Sequence, residues 1–546
     1  PSCTDLAAAA SFVNLQLNNA MQVFGLLKKE GGDDVPKNPR VVAQAIIDAI
    51  PAGTTLIKEL SIAGSPGFVN VKIDPHWTQD QLNLLLNNGI KSWAPKINQR
   101  VVVDFSSPNV AKEMHVGHLR STIIGDTISN TLEFCGADVK RLNHVGDWGT
   151  QFGTFTNDDD DDDNNILYNI YTQPNIMENF YEEFKKRSRE AVKTLQEEDP
   201  ESIELWKKIC DASRREFQEI YKRLNVSLEE RGESYYNPLL PKVTEMLEAD
   251  GIAKVSDGAL CVFVDNVEIP LMIRKSDGGY GYASTDMAAI YQRINEEKAD
   301  WIIYVTDVGQ KTHFDLVFKS AEKAGWLQDN KDMRLDHVGF GLVLGEDGKR
   351  FRTRSGDLVR LVELLDEAKA RCAKTIQERR PDIDAEELDY ASSAMGYGAV
   401  KYSDLKNNRQ SNYKFSYDQM LSLQGDTAVY LLYAYARISG ILRKSGVDIG
   451  DLQKSARIQI KEPQEIALGI KLAQFPDAVS ETLSTLMPNR LTEYIYDLTE
   501  VFNQFYGNCK VIDDENQDSR LLLVDATATV MKQTFKLLGM TPLERI

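Results

Sequence analysis

Cysteine is sparse. Six residues are spread through 546, at 3, 135, 210, 261, 372 and 509, with no C-x-x-C pair among them. That spacing excludes a structural zinc site and a disulfide miniprotein, and it fits a reducing compartment. Long apolar runs are missing too; none reaches the ~18 residues that a membrane-spanning helix needs. The first residues lack a basic start followed by an apolar core, and residues 1–27 contain no arginine. Neither a secretory signal nor a transit peptide is expected from them. Positive charge is in deficit, 63 Lys+Arg against 82 Asp+Glu, for a formal net charge of -19. Such a balance opposes indiscriminate nucleic-acid binding but leaves room for a local basic surface. Part of the excess is one block, Asp158 to Asp163, flanked by Asn157, Asn164 and Asn165. It reads as a solvated loop, with cation binding the alternative. No Ser-His-Asp or Cys-His motif and no internal repeat is evident.

What is present is globular: 42% hydrophobic and 27% charged residues. At roughly 150 residues per domain the length suggests three or four domains. Residues 1–77 read as an α+β unit, with a helix over Phe12 to Leu27 and strands over Leu56 to Ile62 and Phe68 to Ile73. Gly64, Pro66 and Gly67 turn between those strands. Residues 80–100 look helical. Val101 to Phe105 is a short buried strand by its β-branched content, broken at Ser106-Ser107-Pro108-Asn109. A helix from Val116 to Phe134 and a strand from Asp138 to Asn143 follow, which is the rhythm of a parallel α/β sheet. Residues 166–250 look helical and inserted. Strands near Ala259 to Val264 and Glu268 to Ile273, a helix over Asp286 to Glu297, a strand over Trp301 to Val305 and a helix over Phe314 to Gly325 restore the α/β pattern. Helical periodicity dominates from about Leu358 onward.

The sharpest chemical signal is His115-Val116-Gly117-His118. It follows a buried strand and opens a helix. Histidines at i and i+3 share a helix face, and Gly117 between them lets a base or phosphate approach the backbone. A helix N-terminus adds free N–H groups and partial positive charge. These parts suit a nucleotide whose α-phosphate gains charge during displacement.

The stretch Asp104-Phe-Ser-Ser-Pro-Asn-Val-Ala-Lys-Glu-Met-His-Val-Gly-His-Leu-Arg-Ser121 resembles the signature of class I arginyl-tRNA synthetases. So do Leu142-Asn-His-Val-Gly-Asp-Trp-Gly-Thr-Gln-Phe-Gly153, Ser276-Asp-Gly-Gly-Tyr280 and Val343-Leu-Gly-Glu-Asp-Gly-Lys349. The likeness runs over nearly the whole chain and is nearest to the eukaryotic cytosolic type. It implies an α/β Rossmann-like catalytic domain with insertion, an N-terminal α+β domain and a C-terminal all-α helical bundle. The implied boundaries are 1–98 for an N-terminal domain at the tRNA D-loop and 99–357 for the catalytic domain, inserted near 155–255. A helical connection over 358–410 and an anticodon-binding domain over 411–546 complete them.

The implied reaction has two steps. The carboxylate of L-arginine attacks the α-phosphate of ATP, giving arginyl-adenylate and pyrophosphate; the arginyl group then passes to tRNA-Arg. Magnesium travels with ATP, no zinc is expected, and tRNA is expected to be bound before the adenylate forms. The implied setting is cytoplasmic, without a membrane, as a monomer or within a multi-synthetase assembly.

The resemblance also assigns residues. His115, Gly117 and His118 meet ATP. The second signature, often K-M-S-T-R-K-G in this family, appears as Arg350-Phe-Arg-Thr-Arg-Ser-Gly356, with Ser355 in place of its second lysine. Arg350, Arg352 and Arg354 keep that loop cationic. Lys112, just before the first signature, matches the lysine that members with a degenerate loop carry there. Ser107, Asn109, His118, Tyr282, Asp286 and Gln310 match the arginine contacts, Asp286 supplying the anion for the guanidinium; Glu113 is a competing carboxylate. His144, Asp147 and Trp148 shape the site. His313 is a candidate for the ATP site, His337-Val-Gly-Phe-Gly341 for an adenine contact through its backbone, and His76 is structural. Tyr430, Tyr433 and Arg437 can share a helix face and stack on tRNA bases. Lys185-Lys-Arg-Ser-Arg189 is a further basic candidate. Two other readings stay open: a different class I ligase or nucleotidyltransferase, and a non-catalytic tRNA-binding relative.

Overall fold

The computed structural model describes residues 15–31, 35–51, 53–63, 67–148, 195, 199–265, 267–328, 332–345, 347–349, 351 and 359–546. The aspartate block, the 185–189 stretch, Gly64, Pro66, Phe12 and the arginines at 350, 352 and 354 lie outside the described residues.

The N-terminal unit comprises β1 (Leu15–Leu17), α1 (Asn19–Glu30), α2 (Pro39–Asp48), β2 (Ile57–Ala63), β3 (Phe68–Ile73) and α3 (Pro75–Asn88). Its sheet has the order β1-β3-β2 and is antiparallel. The helix expected over Phe12 to Leu27 is corrected here. Leu15 and Leu17 pair with Val71 and Val69, so alternation along an edge strand takes those leucines and the helix waits until Asn19. The helix expected over 80–100 also differs. Asp74 caps α3 by accepting the His76 N–H at 2.8 Å, which starts the helix early. Gly89 (φ 74°) then stops it, because only glycine takes that conformation at no steric cost.

The catalytic sheet is built from β4 (Arg100–Asp104), β5 (Asp138–Asn143), β6 (Glu229–Glu230), β10 (Trp301–Tyr304) and β11 (Arg334–His337). All four pairings are parallel, in the order β11-β10-β4-β5-β6. β4 and β10 lie side by side at its centre, with Val101, Val102, Val103, Ile302 and Ile303 at 2% exposure or less. Strands buried on both faces need continuous apolar runs, which is what these are. From β4 the chain crosses by α4 (Val116–Phe134) to β5 on one side, while β10 leads to β11 on the other. The strand order therefore reverses between β4 and β10, and in open α/β sheets the crevice beyond such strand ends takes the ligand.

Between β5 and β10 stand α5 (Pro200–Arg223), α6 (Leu240–Ala249), an antiparallel sheet of β7 (Ala253–Ser256), β8 (Ala259–Val262) and β9 (Leu271–Arg274), and α7 (Tyr282–Asn295). Within the span read as inserted, Glu229–Glu230 rejoins the main sheet beside β5. α8 (Lys311–Lys323) follows β10.

The C-terminal half is helical: α9 (Leu361–Arg379), α10 (Ala385–Leu405), α11 (Tyr417–Met420), α12 (Ala428–Ser445), α13 (Ile449–Ser455), α14 (Pro463–Ala473), α15 (Phe475–Thr485), α16 (Asn489–Asn508) and α17 (Gln517–Leu537). One short ladder departs from the all-helical expectation: β12 (Val343–Leu344) pairs in parallel with β13 (Tyr413–Lys414). One apolar core runs unbroken from Val101 and Val103 through α4 to Phe502 and Phe535. Among the described residues no helix is long and apolar enough to cross a membrane.

Candidate active site

The sheet delivers its first functional residues at the end of β4. Ser106 and Ser107 both adopt left-handed backbone, φ 76° and 46°, a conformation that costs energy for residues other than glycine. Neighbours hold it in place. The Ser106 N–H donates to Ser121 Oγ at 2.9 Å, and its hydroxyl meets Tyr221 at 2.7 Å. The Ser107 N–H donates to Asn143 Oδ1 at 2.9 Å, and its hydroxyl donates to Asp104 at 3.1 Å. Asp104 is itself tied to the buried Arg293 at 2.6 Å. Asn109 lies against Gly146, where an added Cβ would strike its side-chain oxygen.

The helix α4 then begins with a reciprocal cap. His115 Nδ1 accepts the Gly117 N–H at 3.0 Å, and His118 Nδ1 accepts the His115 N–H at 3.1 Å. A ring that accepts at Nδ1 carries its proton on Nε2, so each imidazole keeps an Nε2–H to donate. Their centroids are 4.1 Å apart. A Cβ at Gly117 would sit 2.9 Å from His115 Cε1, so any other residue here displaces that imidazole. Burial first, then the charges of His115 and Lys112, hold the His118 pKa down to about 3. His118 is therefore an uncharged donor near neutral pH, and Lys112 stands within electrostatic reach of it.

These residues line a cavity of about 410 Å³ at the reversal of strand order. Ser106, Ser107, His115, Gly117, His118, Thr306, Asp307 and Gln310 form one side; Phe340 to Val343, Phe351 and Val359 form the other. Arg120, one turn into α4, fixes that second wall. Its guanidinium donates to Gly341 O at 2.8 Å, pairs with Asp404 at 2.9 Å and lies over the Tyr413 ring at 5.1 Å. Arg409 donates to Gly339 O at 2.7 Å. Sequence reading missed Arg120 and Asp404, whose pairing joins chain segments far apart in sequence.

Gln310 caps α8 and carries the wall toward a second group of residues. Tyr282 opens α7, and Asp286 lies one turn on. The Asp286 carboxylate meets His313 Nε2 at 2.6 Å. Glu233 is a further acid that sequence reading missed. Burial pushes its carboxyl up to about 7, with the charges of Asp147 and Asp286 adding to the rise. Asp147 accepts the Ser234 N–H at 2.8 Å and the Ser234 hydroxyl at 2.6 Å. Asp147 and Asp286 thus both lie within electrostatic reach of Glu233, and negative charge of this kind favours a cationic side chain.

Several candidates are placed elsewhere. Neither His313 nor His337 lines the cavity; His337 bonds Thr306 Oγ1 at 2.8 Å and stacks on Phe314. Glu113 is taken up by an ion pair with Arg360. On α12, Tyr430 and Arg437 share Asn503 as a partner, at 2.7 and 3.3 Å. Tyr433 lies instead beneath the Arg379 guanidinium at 5.0 Å.

Residues 81–417 match the catalytic domain of the class I (R) tRNA synthetases. The chain belongs to the class I arginyl-tRNA synthetases. Residues 5–73 match the arginyl-tRNA synthetase N-terminal domain and 431–546 the DALR anticodon-binding domain. The chain is 50% identical to the chloroplastic/mitochondrial arginine–tRNA ligase of Arabidopsis thaliana, covering 100% of this chain and 87% of that one. It is 49% identical to the cytoplasmic enzyme of the same plant, covering 100% and 94%. The solved arginyl-tRNA synthetase of Plasmodium falciparum superposes with a TM-score of 0.82 at 37% identity, covering 97% of this chain and 92% of that one. The Thermus thermophilus enzyme, at 23% identity and a TM-score of 0.74 over 96% and 93%, shares the fold. The enzyme ligates L-arginine to tRNA-Arg at the expense of ATP, through an arginyl-adenylate.

Proposed function

We propose that the cavity at the strand-order reversal holds ATP, with the Nε2–H groups of His115 and His118 donating to its phosphates. Gly117 lets the nucleotide close on the helix N-terminus, and Lys112 supplies a point charge to the phosphates. Arg350, Arg352 and Arg354 neutralise the departing pyrophosphate. Ser107, Asn109, His118 and Gln310 hold the α-amino and carboxylate groups of arginine, while Tyr282, Asp286 and Glu233 receive its guanidinium. With both substrates so placed, a carboxylate oxygen of arginine attacks the α-phosphorus and pyrophosphate leaves. Neither step requires a covalent protein nucleophile; positioning and charge stabilisation supply the rate. Magnesium fits as a cation carried by phosphate oxygens, because among the described residues the cavity wall offers a single carboxylate, Asp307, whose Oδ1 already accepts the Gly309 N–H. Its chemistry is to shield phosphate charge.

The observation that carries this reading is the adjacency of two unlike sites. The uncharged imidazole of His118 lines the crevice beside His115. His313, one helical turn beyond Gln310, meets the Asp286 carboxylate, which in turn acts on Glu233.

The finer reading is a eukaryotic cytosolic-type enzyme acting in the cytoplasm as a monomer, with a multi-synthetase assembly as the other state that light scattering on native extracts distinguishes. Its domains run 1–98, 99–357, 358–410 and 411–546. The last contacts the anticodon through the helix bearing Tyr430, Tyr433 and Arg437, and the first meets the D-loop. Charging total tRNA with each amino acid tests the reaction: arginine alone is expected to be attached, and attachment of another amino acid or of none overturns it. Pyrophosphate exchange that needs arginine but no tRNA would overturn the expected order of binding.

A further inference from the structure

α7 and α8 lie side by side, and their closest polar contact joins the Asp286 carboxylate to His313 Nε2 at 2.6 Å. Both side chains are mostly buried, 16% and 13% exposed. The His313 ring is confined on two sides. Tyr282 lies against it at 5.0 Å and Phe314 meets it edge-on at 5.3 Å. His313 stands three residues after Gln310, so the helix that reaches the cavity wall with Gln310 also carries this imidazole.

We propose that His313 is a positioning residue for arginine selection: it holds Asp286 by one carboxylate oxygen and leaves the other turned toward the guanidinium. The inference rests on the reading of Asp286 as the guanidinium contact and adds a residue to it. A carboxylate turns about a broad terminal torsion unless something fixes it. Hydrogen bonding of Oδ2 fixes that torsion and commits Oδ1 to the substrate. The guanidinium has five N–H groups in a plane. One goes to Oδ1 of Asp286, and a second is then free for Glu233, whose carboxyl feels the charge of Asp286. Among the described residues no lysine or arginine pairs with Asp286. A fixed cation there would fill the slot and cancel its charge. An imidazole N–H orients the carboxylate where a lysine or arginine would occupy the slot.

The experiment compares His313→Ala, His313→Gln and Asp286→Ala in the full chain, by steady-state aminoacylation of tRNA-Arg with circular dichroism as the folding check. His313→Ala is expected to raise the arginine KM about 10-fold, the scale of a lost hydrogen bond to a charged group. The kcat and the ATP KM stay within about twofold. His313→Gln, which keeps an N–H at similar reach, recovers most of the loss. An unaltered arginine KM in His313→Ala overturns the proposal. Equal rises in the arginine and ATP KM values, unrelieved by glutamine, also overturn it, because they mark a general packing role. If Asp286→Ala itself keeps the arginine KM, the guanidinium reading fails first, whatever His313 does.

Discussion

His118 accepts the backbone N–H of His115 at Nδ1, 3.1 Å away, and so has no site for a second proton without breaking the start of its own helix. Burial, followed by the charges of His115 and Lys112, independently holds its pKa down to about 3. The ring therefore stays uncharged from about pH 8 to below pH 5. His118→Ala is expected to slow adenylation about 10²- to 10³-fold, the usual loss for one donor to developing charge. Single-turnover rates check this. A wild-type rate step near pH 6.5 that disappears in His118→Gln would contradict the assignment.

Glu233 gives the opposite pH signature. Its carboxyl, pushed up to about 7, is largely protonated below that pH and charged above it. The slot then gains an anion as pH rises, so the arginine KM is expected to fall between about pH 6 and pH 8. Glu233→Gln should flatten that profile at a raised KM. An unchanged profile in the variant would remove Glu233 from arginine binding. Stability runs the other way. A carboxyl raised in the folded state favours folding below about 4.5, and that contribution is lost as pH climbs through about 7.

Gly117→Ala puts a methyl group 2.9 Å from His115 Cε1. The backbone there is helical, so the fold tolerates alanine while the imidazole is displaced. A fall in kcat/KM for ATP of roughly 10- to 100-fold is expected, in line with misplaced catalytic groups. Urea unfolding should be nearly unaltered; a large stability loss would point to a folding role instead.

Arg120→Leu removes the partner of the buried Asp404 and the donor to Gly341 O. Leaving a buried charge unpaired costs about 3–5 kcal/mol. Denaturant titration is expected to show that loss, and Asp404→Asn in the same background should recover part of it. Equal stability of Arg120→Leu and wild type would refute the account.

Local pattern carried the centre of the molecule. Val116–Phe134 and Asp138–Asn143 fall where the periodicity places them, because β-branched runs and helical spacing decide buried elements. The signature histidines were legible for a related reason: their partners are two and three residues away. What escaped notice depends on distant chain. Arg120 and Asp404 are 284 residues apart, and His313 and Asp286 are 27 apart. Glu233 carried no local mark, since its raised pKa comes from burial and from acids on other elements. Leu15–Leu17 misled because three residues of edge strand have too little pattern to compete with a neighbouring helix.

The two-residue ladder joining Val343–Leu344 to Tyr413–Lys414 stitches the lip of the nucleotide crevice to the chain just ahead of the anticodon-side helices. A protein cut after residue 410 would forfeit that seam, and with it the partner of a residue in the cavity wall. The cavity wall at Val343 is thus paired to chain that leads directly into the C-terminal helices.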